Sequence, residues 1–170
     1  MVQKLFASVI LAFSCMASGA QDFMSEYFAK GIDVEGVRIE QRMSYAQFVA
    51  KFGKPDEYVK QEGTEEMCFD EHYRIGHCWL DFRNDGIFSS FSLGDRQLVA
   101  LTLWIPGGIR VGDKLSRLDS FKYGKPIVAS WLKPRNGYVE YVLFHGYLDD
   151  LVFLTVKDGI VYRISFSASV

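Results

Sequence analysis

Four short landmarks recur in the same order about 72 positions apart, and this period constrains the fold more than any other feature of the chain. Gly36-Val37-Arg38-Ile39 returns as Gly108-Ile109-Arg110-Val111, and Arg42-Met43-Ser44 returns as Lys114-Leu115-Ser116. Phe52-Gly53-Lys54-Pro55 returns as Tyr123-Gly124-Lys125-Pro126, and Asn84-Asp85-Gly86-Ile87 as Lys157-Asp158-Gly159-Ile160. A fixed period of this kind marks repeated supersecondary units. We read two tandem units, 36–106 and 107–170, behind an N-terminal helix within 21–35.

Each unit opens with the signals of a short helix. Ser44 with Gln47, and Ser116 with Asp119, suit an N-cap, where a side-chain oxygen accepts an orphan backbone N–H. Gly53 and Gly124 suit the C-terminal cap, and Pro55 and Pro126 prevent continuation. Tyr45, Phe48, Val49 and Phe52 recur at helical spacing and make one apolar face. A further helix is expected over about Asp22–Lys30.

Strands follow each helix. Asp85-Gly86 and Asp158-Gly159 are two-residue hairpin signals, because both central residues need positive φ. The first unit reads as strands over about Thr64–Arg74, His77–Arg83, Ile87–Leu93 and Gln97–Ile105. The second reads as Tyr138–Phe144, Leu151–Val156 and Ile160–Phe166, with no fourth strand. Hairpin pairing sorts the faces. Leu80, Phe82, Phe91 and Leu93 fall on the helix-packed face of the first unit, and Trp79, Asp81, Arg83, Phe88, Ser90 and Ser92 on the other. In the second unit, Leu151, Phe153, Tyr162, Ile164 and Phe166 share the helix-packed face, and Val152, Leu154, Val161, Arg163 and Ser165 share the other. The fold class is therefore α+β: two helix-plus-antiparallel-sheet units forming one curved sheet backed by helices.

The first twenty residues read as an address. Lys4 is followed by an apolar run, Leu5–Phe13, and then by small residues, which together describe a secretory signal peptide cleaved before Gln21. Cys15 opens a second reading, a lipid-anchored chain, although Ala12 and Phe13 fit a lipoprotein motif poorly. The expected location is periplasmic or secreted, or the outer membrane if Cys15 carries a lipid. A formal net charge of −2 lacks the basic excess of a nucleic-acid binder.

The helix, its Gly-Lys-Pro stop and the following hairpin, repeated behind a signal peptide, resemble the β-lactamase-inhibitor-protein family. A single unit is similar to SmpA/OmlA-type outer-membrane-assembly lipoproteins. The residues carrying the resemblance are Ile39, Met43, Ser44, Phe48, Phe52, Gly53, Pro55 and Asp56, with Val111, Leu115, Ser116, Tyr123, Gly124 and Pro126. It implies a curved sheet whose concave face binds a protein, and it names no partner.

Chemistry-bearing groups cluster in one segment: Cys68, Asp70, His72, His77 and Cys78. Export favours a Cys68–Cys78 disulfide. A tight turn at Ile75-Gly76 instead puts the two cysteines on opposite faces, so bridge and free thiols both stay open. The segment matches no usual zinc spacing, and neither a metal nor a cofactor is expected. His145 with Asp149, and His77 with Cys78, are dyads without a supporting nucleophile motif. Asp149 and Asp150 read as a solvated turn. Trp79, Phe88, Asp81, Arg83, Ser90 and Arg163 have the composition of a protein interface. The expected function is therefore non-enzymatic binding of a protein partner in the cell envelope, with no nucleic acid. An envelope-assembly scaffold and a small metal- or thiol-dependent enzyme are the alternatives.

Overall fold

Helix α2 (Tyr45–Phe52) forms where its caps dictate. The Ser44 side chain accepts from the Gln47 N–H at 3.3 Å, and the Gln47 Oε1 accepts from the Ser44 N–H at 2.8 Å, a reciprocal capping box. Gly53, at φ 88°, ends the helix with its N–H on the Val49 carbonyl. Phe48 is buried between Tyr73 and Phe82. The structure is a computed structural model that describes residues 21–60, 71–83, 85–144 and 151–167, with helix α1 covering 21–30. Residues 1–20, read above as a signal peptide with Cys15, and Cys68, Asp70, His145, Asp149 and Asp150 lie outside the described residues.

The second expected helix is a 3₁₀ turn, Leu115–Leu118. Lys114, not Ser116, holds the cap position, and it makes no side-chain cap bond. Phe121 and Tyr123, two residues apart, both pack on Trp104. Residues at that spacing cannot share a helix face, so an irregular turn serves this contact where a helix cannot.

Among the described residues, ten strands occur in chain order: β1 (Asp33–Val34), β2 (Val37–Arg38), β3 (Glu57–Lys60), β4 (Glu71–Ile75), β5 (Cys78–Phe82), β6 (Phe88–Leu93), β7 (Ile127–Val128), β8 (Val139–Leu143), β9 (Leu151–Lys157) and β10 (Ile160–Ser167). β1 and β2 make a ribbon, and the rest form one eight-stranded sheet in the order β3-β4-β5-β6-β10-β9-β8-β7. Every pairing is antiparallel. The fold is thus α+β, with two helices, a large antiparallel sheet and a small ribbon.

Gln97–Ile105 is not a strand, although Leu98, Val99, Ala100, Leu101 and Ile105 are all buried. The fully buried Asp33 carboxylate accepts the backbone N–H groups of Gly36, Thr102 and Leu103, and the Thr102 hydroxyl. These bonds take the donors of Thr102 and Leu103, Ala100 makes only isolated bridges to Val34 and Ile109, and Leu101 turns at φ 57°. An apolar run alone cannot distinguish a strand from such a buried loop. The fourth strand of the first half is instead β3, directly after the Gly-Lys-Pro stop and paired with β4. Its counterpart after the second stop is β7, so the second half of the sheet also has four strands.

Two bulges redistribute the faces. The β4–β5 turn is Gly76-His77, since Ile75 pairs with Cys78; this two-residue shift keeps the faces, and Cys78, alternating with Leu80 and Phe82, points into the core. The Asp158-Gly159 turn forms as expected, with φ of 52° and 75°. A shift between Val161 and Arg163 then inserts one residue. Val152, Leu154 and Val161 consequently join Ile164 and Phe166 inside, while Tyr162 is exposed and Phe153 lies on the outer face. The β5–β6 loop is longer than two residues, closing through the Arg83 N–H on the Ile87 carbonyl at 2.9 Å. A shift between Asp81 and Phe82 follows it, and Phe88 is fully buried against Phe82, with ring centroids 5.1 Å apart.

The core holds two aromatic groups. Phe82, Phe88, Phe91 and Phe166 stack in sequence across β5, β6 and β10. Phe23 of α1 meets Trp104, Tyr123 and Phe144.

Candidate functional site

The sheet side away from this core presents a defined set of residues, because directly paired residues share a face. One cross-strand row runs Arg74, Trp79, Ser92, Ser165, Phe153, Val142 over β4, β5, β6, β10, β9 and β8. Two serines therefore separate Trp79 from Phe153. At a strand spacing of about 4.8 Å, the two rings flank a low floor roughly 14 Å across. Trp79 is half-buried, and Arg74 beside it is held by Glu57 at 2.8 Å.

A second row carries His72, Asp81 and Ser90. The His72 Nδ1 lies 2.7 Å from the Asp81 Oδ1, and the Ser90 hydroxyl donates to the Asp81 Oδ2 at 2.6 Å. The Ser89 hydroxyl donates to the Asp81 carbonyl at 3.1 Å. The His72 Nε2 is buried and has no partner among the described residues. A nucleophilic serine would sit at that Nε2. Ser90 binds the carboxylate instead, so the three residues form a fixed polar patch rather than a nucleophile, base and orienting acid.

Beyond Ser165 the face deepens. Residues 131–138 line a groove of about 760 Å³ together with β8, β9 and β10. Trp131, 54% exposed, and Leu132 contribute apolar surface, and Phe153 lines the groove from β9. Lys133, Arg135 and Arg163 also line it. Glu140 is the acid in this lining, and the Thr155 hydroxyl lies 2.8 and 3.0 Å from its two oxygens.

Two other hollows among the described residues bear on the chemistry. One of about 350 Å³ lies beside α1, where Lys30, Lys122 and the Tyr123 hydroxyl surround Glu26. Hydrogen bonds from Lys30 and then Lys122 hold the Glu26 carboxyl below the usual carboxylate range. The other, of about 550 Å³, lies at the start of α2, where Tyr58 and Tyr73 donate to the two oxygens of Glu71. Burial first, and then Glu71, push both phenols upward.

Of the residues singled out from sequence, Trp79, Asp81, Ser90 and Arg163 lie on the outer face. Phe88 does not: the bulge turns it into the core. Arg83 sits at the end of the β5–β6 hairpin, bound by Glu40 at 3.2 Å and Asp85 at 3.7 Å. Cys78 is a free, buried thiol whose Sγ donates to the Asp95 Oδ1 at 3.3 Å. His72 and Cys78 lie on opposite faces, and no metal-holding cluster occurs among the described residues. Sequence reasoning missed Phe153, Trp131, Lys133 and Arg135. An available signal was the run Trp131-Leu132-Lys133-Pro134-Arg135, which puts an aromatic and two cations in a proline-broken segment that cannot bury them.

No family model matches the chain, and no curated protein matches it. Among solved structures, the chain has a likeness to a DUF4309 family protein (YjgB) from Bacillus subtilis. The two are 16% identical, with a TM-score of 0.37 over 79% of this chain and 84% of that one. A likeness at that score carries no argument about fold or function.

Proposed function

We propose that the chain is an exported, non-enzymatic module that binds a protein partner through the outer face of its eight-stranded sheet. One observation carries the reading: Trp79 and Phe153 flank a serine floor that opens into the groove rimmed by Trp131. Aromatic anchors with arginines around them are the composition of binding hot spots, and small residues between them let a partner's side chains descend to the sheet. The strand order supports two four-strand units joined along their last strands, β6 and β10, the first opened by a helix and the second by a 3₁₀ turn, and the β-lactamase-inhibitor-protein resemblance is read on that basis.

The test is affinity capture from envelope extracts with mass spectrometry. Trp79→Ala and Phe153→Ala should keep the circular dichroism spectrum of the unchanged chain and lose the captured protein. Capture undiminished in both variants would overturn the sheet-face reading. Export has its own readout: the intact mass of the secreted or periplasmic chain should begin at Gln21. Palmitate labelling that disappears in Cys15→Ser would replace that reading with an anchored one.

A further inference from the structure

We propose that the groove between residues 131–138 and strands β8–β10 takes an acidic, extended peptide segment of the partner. Its carboxylates would meet Lys133, Arg135 and Arg163, and its apolar side chains would lie against Phe153 and Trp131. The inference rests on the sheet-face reading and adds to it the chemistry of what is bound.

The argument begins with charge. The chain carries 19 basic and 21 acidic residues, so a cationic hollow is not a by-product of its composition. Three cations nevertheless line this groove against one acid. Thr155 hydrogen-bonds that acid, Glu140, within the sheet. None of the three cations forms an ion pair among the described residues, a state they share with Arg38, Lys51, Lys54, Lys60, Arg96, Arg110, Lys114 and Lys157 elsewhere on the chain. What sets the groove apart is that three such cations line one hollow together with exposed aromatic surface. Arginine side chains with two free donor edges suit planar carboxylates.

Shape narrows the class. The groove's 760 Å³ lies within the range of clefts that hold a small ligand or a few residues of chain. An extended segment presents alternate side chains to opposite sides, so one side can meet the cations while the other meets Phe153. A nucleic acid would also bring anions. The remaining surface of a chain with net charge −2 opposes a long polyanion, and three cations are few for one.

The experiment is fluorescence anisotropy of the full chain with a panel of labelled peptides alternating Glu or Asp with Phe or Leu. A matched panel carries Gln and Asn in place of the acids. The acidic peptides should bind, weaken as salt rises, and weaken by about tenfold or more with Arg135→Glu and Arg163→Glu together. The neutral panel should not bind. Equal binding of both panels, or no binding of the acidic one, overturns the proposal. Tighter binding of oligo-dT than of any acidic peptide also overturns it, in favour of a polyanion site. Unchanged circular dichroism of the double variant excludes misfolding as the cause of a loss. Should Trp79→Ala lose the captured envelope protein while the charge-reversed chain keeps it, the acidic-segment proposal falls and the sheet-face reading stands. Should both variants keep it, both fall.

Discussion

Asp33 concentrates more hydrogen bonds than any other buried side chain described here. A buried carboxylate survives only when its lone pairs are met, and here three backbone N–H groups and a hydroxyl meet them. Asp33→Ala would leave those donors orphaned beneath the β1–β2 ribbon. Urea denaturation should show a loss of about 3 kcal/mol or more, and a near-neutral result would contradict the assigned role. Cys78 gives a second residue-level expectation. Burial pushes its thiol up from 9.0 to about 11, so the folded chain holds that proton more tightly than the unfolded chain. Its contribution is therefore complete below about pH 9 and lost as pH rises through about 11. In a chain carrying Cys15→Ser and Cys68→Ser, Ellman's reagent should react slowly at neutral pH and at once in urea. Fast reaction of the native chain would mean that the thiol is accessible.

At the level of elements, matching sequence signals led to different structures. Ser44 caps a helix and Ser116 sits within a 3₁₀ turn. Ser44→Ala should cost about 1 kcal/mol in thermal or urea unfolding, and Ser116→Ala almost nothing. Equal costs would mean that both serines cap. Helix α1 is held by Phe23 in the core and by Glu26 with Lys30 and Lys122 outside it. Because the folded Glu26 carboxyl is lowered from 4.5, its contribution is present above that value and fades as pH falls through the lowered one. Hydrogen exchange of residues 21–30 should accelerate over that interval, and Glu26→Gln should remove the acceleration. The caps of α2 and the Asp158-Gly159 turn were legible in the sequence because each depends on two to four adjacent residues. The bulges were not. A bulge is one extra residue in a ladder, and its position is decided by which register buries the most apolar surface across neighbouring strands. That is why Phe88 moved inside, and why Phe153 and Val152 exchanged faces.

Across the whole molecule, the two halves of the sheet meet at β6 and β10, where Leu93 pairs with Ile164 and Phe91 stacks on Phe166 at 6.2 Å. The hydrophobic core runs through this seam without interruption. Unfolding should therefore be a single transition, with tryptophan fluorescence and far-ultraviolet dichroism coinciding. Two separated transitions would show that the halves are independent. Phe166→Ala should lower the one midpoint by removing about 3–5 kcal/mol, and should leave no stable half behind.

Local chemistry, read from the sequence alone, determined the α+β class, the helix α2 with both its caps, the hairpin turn at Asp158-Gly159, and the outward side of Trp79, Asp81, Ser90 and Arg163. Each follows from residues near one another in the chain. Only the tertiary structure decided that Gln97–Ile105 is a loop tied to Asp33, that β3 and β7 close the two edges, and that residues 131–138 stand beside Phe153 to make a cationic groove. Those outcomes depend on partners tens of residues apart, whose meeting is set by sheet register and by the need to satisfy every buried polar group.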